Sequence, residues 1–173
     1  LKYNPKKLIL LERSEINLYA IEQTLLELNT NNIDLVFVLG CAMNNRIVEK
    51  IFSKEKIQIV FHTAAYKHVP IVEKNPIAGI ENNVLSTKVL CDASIKYNVE
   101  NFCLISTDKA VRPTNIMGAS KRMAELIVQS YSQTSDSKLD EDNFRTCFSM
   151  VRFGNVLDSS GSVVPRFRKQ IIN

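Results

Sequence analysis

The sequence predicts an α/β fold, a doubly wound and mostly parallel sheet with helices on both faces. Three observations lead there. Short apolar runs recur along the 173 residues, each followed by a segment with helical spacing. Such alternation means parallel strands joined by right-handed crossovers. Charged and hydroxyl-bearing residues collect just past the apolar run Phe102-Cys103-Leu104-Ile105, at a strand's carboxyl end, where open parallel sheets hold ligands. A composition of 45% hydrophobic and 23% charged residues suits one ordinary globular domain with its own core.

The elements follow in order. Residues 7–11 read as a strand and 14–28 as a helix, in which Ile16, Tyr19, Ile21, Leu25 and Leu28 approximate helical spacing and Ser14 is the N-cap. Residues 33–39 and 44–52 form the next strand and helix. Residues 58–61 lead through a loop into a helix over 76–97, opened by Pro76. Strand 102–105 precedes helix 118–131, and strand 145–153 precedes helix 162–172. The run 132–143 is polar throughout and reads as an exposed loop.

Several function classes fall away. The net charge of +4 is spread out, apart from Arg166, Arg168 and Lys169, whereas nucleic-acid binding needs a denser stripe with aromatic platforms. That small cluster suits a pyrophosphate or a solvated helix face equally. No apolar run approaches the ~20 residues that span a bilayer. Cys41, Cys91, Cys103 and Cys147 are widely spaced, so buried reduced thiols and a cytoplasmic setting are expected. His62 and His68 lack neighbours at ligand spacing, so no metal is expected.

The chemistry concentrates in Ser106-Thr107-Asp108-Lys109 and, eight residues on, Met117-Gly118-Ala119-Ser120-Lys121. Charged side chains there do not fill a core. The plain alternative for Asp108 and Lys109 is a solvated ion pair, worth little energetically.

One absence shapes the fold reading. A dinucleotide-binding domain carries a glycine-rich turn after its first strand, where the backbone approaches the pyrophosphate. The five glycines, Gly40, Gly79, Gly118, Gly154 and Gly161, contain no G-x-G or G-x-x-G spacing. The first run, ending Glu12-Arg13-Ser14, instead looks like a second strand, with Glu12 placed for an adenosine ribose. The expectation is a single partial Rossmann-like NAD(P)-binding domain over residues 1–173, lacking its first β-α unit. In a 3-2-1-4-5 sheet that leaves a gap one strand wide, ~4.8 Å per pairing on each side.

These residues resemble the extended short-chain dehydrogenase/reductase superfamily, and within it the nucleotide-sugar 4,6-dehydratase/epimerase branch of polysaccharide biosynthesis. The resemblance rests on several segments in order. They are Leu10-Leu11-Glu12-Arg13-Ser14-Glu15, Val60-Phe61-His62-Thr63-Ala64-Ala65-Tyr66-Lys67-His68-Val69-Pro70 and Glu81-Asn82-Asn83-Val84. Ser106 to Lys109, Pro113-Thr114-Asn115-Ile116-Met117-Gly118-Ala119-Ser120-Lys121 and Val151-Arg152-Phe153-Gly154-Asn155-Val156-Leu157 continue it, and Ser159-Ser160-Gly161-Ser162-Val163-Val164-Pro165 closes it. Met117 stands where such enzymes usually carry tyrosine, which is closest to the large membrane-anchored dehydratases.

The resemblance implies bound NAD or NADP, a nucleotide-diphosphate sugar of the UDP-N-acetylhexosamine type, transient oxidation at C4, and loss of water across C5 and C6. Asp108 would then assist departure of the C6 hydroxyl and Lys109 act as base at C5. Thr107 would bond near the C4 oxygen, and Lys121 hold ribose hydroxyls. Met117 transfers no proton, so C4–OH deprotonation would fall to Asp108 or Lys109 through water. Glu12, Arg13, Ala64, Ala65, Tyr66, Asn83 and Ser106 join Lys121 as expected cofactor contacts. Lys67, His68, Asn155 and Arg166 are the expected substrate contacts. A completed chain could form a homo-oligomer or belong to a membrane-anchored parent. Two departures weaken the cofactor site: Cys41 replaces a usual aspartate after Gly40, and Thr63 a usual alanine. The alternative reading is a truncated, catalytically inactive remnant of the same family.

Overall fold

The computed structural model describes residues 1–137, 145–154 and 156. Strand β1 (Lys7–Glu12) leads into α1 (Glu15–Leu28), β2 (Asp34–Leu39) into α2 (Asn45–Lys54), and β3 (Ile59–His62) into a helical stretch. That stretch comprises α3 (Val69–Lys74), α4 (Pro76–Ile80), a π-helical turn (Glu81–Leu85) and α5 (Ser86–Lys96). Strand β4 (Asn101–Thr107), a 3-10 turn (Asp108–Ala110), α6 (Ile116–Ser137) and β5 (Cys147–Phe153) complete the described elements. The starts are set locally. The Ser14 hydroxyl accepts from Asn17 N–H and caps α1, the Asn44 side chain accepts from Arg46 and Ile47 N–H and caps α2, and Pro76 opens α4.

Among the described residues all pairings are parallel, but they form two sheets rather than one. β1 pairs with β2 from Lys7↔Asp34 to Glu12↔Leu39, and β3-β4-β5 form the second sheet with β4 in the middle. Among the described residues β1 and β3 each keep one unpaired edge, where the expected one-strand gap falls. Ile59 and Phe61 on β3 are exposed beside it.

The core lies where α5 and α6 pack on the second sheet and α2 packs on α5. Val48 and Phe52 of α2, Leu90 and Cys91 of α5, and Ala124 and Val128 of α6 surround Phe102 and Leu104 of β4. The Phe102 and Phe148 rings stand 5.4 Å apart, tilted by 46°. A second, polar layer sits above this apolar one. His62 is buried, its Nε2 3.0 Å from Thr87 Oγ1. Thr87 sends its own proton to the Asn83 carbonyl at 2.8 Å, so the ring is the Nε2–H tautomer donating to Thr87. Burial, and then the Lys121 charge, press the His62 pKa down to about 3.

Four readings change in detail. The single helix expected over 76–97 is three segments, with the π turn carrying the buried Asn82 and Asn83. Part of the loop before Pro76 is α3, with a proline in its first turn. The polar run expected as a loop continues α6 to Ser137, because it holds no glycine or proline there to stop the helix; residues 138–144 and the expected helix 162–172 lie outside the described residues. On α1, Leu18 is buried while Ile16, Tyr19 and Leu28 are exposed, since this helix packs on the two-stranded sheet alone. The four thiols are free, and only Cys91 is buried.

Two outcomes follow for stability. Phe102→Ala is expected to lower the unfolding free energy of the protein by about 3–5 kcal/mol, read by urea denaturation. His62 has a folded pKa below its unfolded 6.5, so its stabilising contribution is complete above pH 6.5 and fades as pH falls toward 3. His62→Gln should flatten the acid side of the stability curve in that window; an unchanged slope would show that His62 takes up protons freely in the fold.

Candidate functional site

A cavity of ≈ 340 Å³ opens between the carboxyl ends of β1 and β3, lined by Glu12, Arg13, Gly40, Cys41, Ala64 and Tyr66 among others. Glu12 sits at the end of β1, its Oε1 accepting from Ser14 N–H at 2.8 Å, which leaves Oε2 for another donor. Arg13 donates to Asn82 Oδ1 at 3.1 Å, and its guanidinium lies 5.2 Å over the Tyr66 ring. The small side chains Ala64 and Ala65 keep the β3 wall low, so a ligand can come close to backbone. This wall fits the adenosine end of a dinucleotide: a carboxylate for ribose hydroxyls, an arginine and small residues.

Asn83 ties this cavity to α6. Its Oδ1 accepts from Tyr66 N–H at 2.7 Å and from Asn82 Nδ2 at 3.1 Å. Its Nδ2 donates to the Tyr66 carbonyl at 3.1 Å and to Ser120 Oγ at 2.9 Å. Asn83 is buried, so all four bonds work without competition from water. Lys67 and His68 follow on the exposed loop leading into α3.

The other half of the site is the turn after β4. Thr107 Oγ1 donates to Asp108 Oδ1 at 2.9 Å, and Lys109 Nζ lies 3.2 Å from the same oxygen. The Thr107 hydroxyl first, and then Lys109, hold the Asp108 carboxyl below its ordinary range. Both charged side chains remain substantially exposed. Gly118 lets α6 abut this turn, since a Cβ there would stand 2.3 Å from the Lys109 carbonyl. Met117, on the first turn of α6, is buried.

Lys121 is 7% exposed and donates to the Ile105 carbonyl at 2.7 Å. Burial brings its pKa down to about 8, against the opposing pull of Glu125. Ser106 turns its hydroxyl to Glu125 Oε1 at 2.7 Å. The structure thus brings Thr107, Asp108, Lys109, Met117 and Lys121 together at one sheet edge, with Glu12, Arg13, Tyr66 and Asn83 along the adjoining cavity. Asn155 and Arg166 lie outside the described residues.

Reading from sequence missed Glu125, Arg152, Asn82 and Ser120. Glu125 is fully buried and accepts from Ser106, Arg152 and Arg122. Burial alone would push its carboxyl up, but those bonds outweigh burial and hold its pKa at about 2. A signal existed: Glu125 lies four residues after Lys121, on the same helix face. Among the described residues no helix is long and apolar enough to cross a membrane.

Known proteins are similar to this chain in sequence and in fold. The chain is 44% identical over 170 residues to the capsular polysaccharide biosynthesis protein CapD of Staphylococcus aureus, a match covering 98% of this chain and 27% of that protein. It is 30% identical over 169 residues to the UDP-N-acetylglucosamine 4,6-dehydratase (inverting) of Campylobacter jejuni, covering 98% of this chain and 47% of that enzyme. The X-ray structure of Pen from Bacillus thuringiensis matches 99% of this chain and 50% of its own at a TM-score of 0.86 and 34% identity. The chain therefore spans half or less of each of these three proteins. With the family model for polysaccharide biosynthesis proteins matching residues 1–173, the chain belongs to that family.

Proposed function

We propose that this chain carries the cofactor wall and catalytic turn of an NAD(P)-dependent nucleotide-sugar 4,6-dehydratase acting on a UDP-N-acetylhexosamine. The observation that carries this reading is the Asp108–Lys109 contact at 3.2 Å, held beside the buried Lys121 at the carboxyl end of β4. A bound nicotinamide would supply a hydride acceptor for C4 and a hydride donor for C6. Glu12 takes the adenosine ribose, and Lys121 keeps the inner site electropositive next to the second ribose.

At rest Asp108 and Lys109 are an ion pair. With the sugar bound, the C4 hydroxyl proton passes through water to the Asp108 carboxylate and the Lys109 ammonium releases its proton to solvent, leaving a neutral acid and a neutral amine. The amine then removes the proton at C5, acidified by the 4-keto group. Asp108 gives its proton to the C6 hydroxyl, which leaves as water, and both side chains return to their resting charges. Thr107 donates toward Asp108 at rest and turns to the C4 oxygen with substrate bound. The Lys109 ammonium then returns a proton to C5 as hydride reaches C6 and is recharged from solvent, whereas the Met117 thioether transfers no proton. Lys67, His68, Asn155 and Arg166 complete the substrate side. Free thiols and a nucleotide-sugar substrate favour a cytoplasmic site of action.

A second reading, residues 1–173 as a catalytically inactive piece, is favoured by the unpaired edges of β1 and β3. We expect residues 1–173 alone to bind NADH or NADPH poorly. Micromolar binding in a fluorescence titration would reject that expectation.

The main test uses the full-length protein with UDP-N-acetylglucosamine and mass detection of the product. Loss of one water, giving a 4-keto-6-deoxy sugar, is the expected result; an isomer of unchanged mass would assign an epimerase instead. Lys109→Ala and Asp108→Asn should each cut kcat by about 10²–10⁴-fold without lowering the melting temperature. Turnover retained in either variant rejects the roles given to this pair.

A further inference from the structure

Glu125 is a charged side chain sealed from solvent, yet the reaction above gives it no part. It lies one turn beyond Lys121 on α6. Its Oε1 accepts from Ser106 Oγ at 2.7 Å and from Arg152 Nε at 2.8 Å. Its Oε2 accepts from Arg152 Nη2 at 2.7 Å and from Arg122 Nη1 at 2.9 Å. Ser106 and Arg152 are register partners near the carboxyl ends of β4 and β5. Lys121 Nζ meanwhile holds the carbonyl of Ile105, the residue just before Ser106. Two successive β4 residues are thus gripped by two α6 side chains, immediately before Thr107, Asp108 and Lys109.

We infer that Glu125 is a positioning residue for the reaction, clamping β4 and β5 to α6 so that the Asp108–Lys109 turn stays in register with Lys121 and Lys121 stays a cation. This rests on the function proposed above. The groups around Lys121 make the second half physical. His62 faces it from β3 as a neutral ring, and the turn bearing Asp108 and Lys109 packs on the start of α6. Arg122 on the same helix and Arg152 on β5 both bind Glu125. Glu125 is the anion that opposes the loss of charge which burial imposes on Lys121. Without it, the buried Lys121 and the two partly exposed arginines would lose the carboxylate that balances them. A carboxamide in its place could still meet Ser106, but it could not balance the arginines.

The test measures kcat and KM of the full-length protein from neutral to alkaline pH, alongside melting temperature. Glu125→Gln should lower kcat on the order of tenfold to a hundredfold while KM for the sugar nucleotide changes by less than about threefold. Its alkaline limb, set by Lys121 losing its proton near pH 8, should move to lower pH by about one unit. Glu125→Asp keeps the charge with a shorter reach, so kcat should fall while the limb stays in place. Should the Gln variant fail to fold, the Asp variant decides: wild-type kcat there overturns the inference. So does a Gln variant that behaves as the parent, or one whose kcat falls with melting temperature while the limb stands still. Lys109→Ala separates the two readings. Turnover surviving in that variant removes the proposed reaction itself, whereas a dead Lys109→Ala beside an unaffected Glu125→Gln removes only the clamp.

Discussion

Strand β4 is the constraint on which the rest of the molecule hangs. It is the middle strand of the larger sheet, paired with β3 from Asn101 to Leu104 and with β5 from Asn101 to Thr107. Its buried face reads Phe102, Leu104, Ser106, changing from hydrocarbon to hydroxyl at the end where chemistry is wanted. The lower part is fixed by apolar packing against α5, α6 and β5, worth roughly 1.5–3 kcal/mol for each large side chain removed from water. The upper part is held by its ladder to β5, by the hydrogen bond from Lys121 to the Ile105 carbonyl and by that from the Ser106 hydroxyl to Glu125. The catalytic turn is therefore attached to a strand that cannot shift without opening the core beneath it. Such support gives the exposed Asp108 and Lys109 a definite position although solvent reaches both.

The polar layer obeys the same logic at greater energetic risk. An unmade hydrogen bond on a buried amide costs about 1–3 kcal/mol, and Asn82, Asn83, Ser86, Thr87 and Ser120 are all buried. Each has a partner. Asn83 makes four bonds, Thr87 reaches the Asn83 carbonyl, and Ser120 donates to the Met117 carbonyl at 2.7 Å. The π turn is what permits this. One wide turn between α4 and α5 frees main-chain carbonyls, and the carbonyls of Asn82 and Asn83 accept from Ser86 and Thr87. π turns recur at functional sites because they re-aim side chains in this way. Here the re-aimed pair links the cavity wall at Tyr66 to the helix bearing Met117 and Lys121.

Much of this was legible from the amino acids. Strands 7–11, 33–39, 58–61, 102–105 and 145–153 sit within a residue or two of β1 to β5, because continuous apolar runs between turn signals have few other uses in an α/β chain. Ser14 and Pro76 mark helix starts through local chemistry that tertiary structure does not override. The missing glycine turn pointed to a sheet in two parts, and the strand pairing has that form. What stayed hidden depends on contacts distant in sequence. Its spacing from Lys121 is the one local hint at Glu125, and its burial follows only when Arg152, 27 residues on, is brought across it. The π turn has no periodic signature. The continuation of α6 past Tyr131 was masked by polarity, which reports exposure and not helix termination.

The arrangement of the two sheets gives the cavity a mechanical character of its own. One wall, Glu12 to Ser14 with Gly40 and Cys41, belongs to the β1-β2 sheet, and the other, Ala64 to Tyr66 with Asn82, to the β3-β4-β5 side. Below, the halves are joined by α2 packing on α5, with Val48 and Phe52 in the common core. At the cavity itself the joint described is Arg13 reaching Asn82 and Tyr66. A neutral hydrogen-bond acceptor and a partly solvated cation–π contact contribute about 1–2 kcal/mol together, far less than the core beneath. The walls are thus held firmly at the base and weakly at the mouth. A ligand that contacts Glu12 on one wall and the Ala64-Ala65-Tyr66 backbone on the other would draw them together, and its binding free energy would appear partly as order in the site. Asn83, bonded to Tyr66 on one side and to Ser120 on the other, is the link that joins this wall to α6.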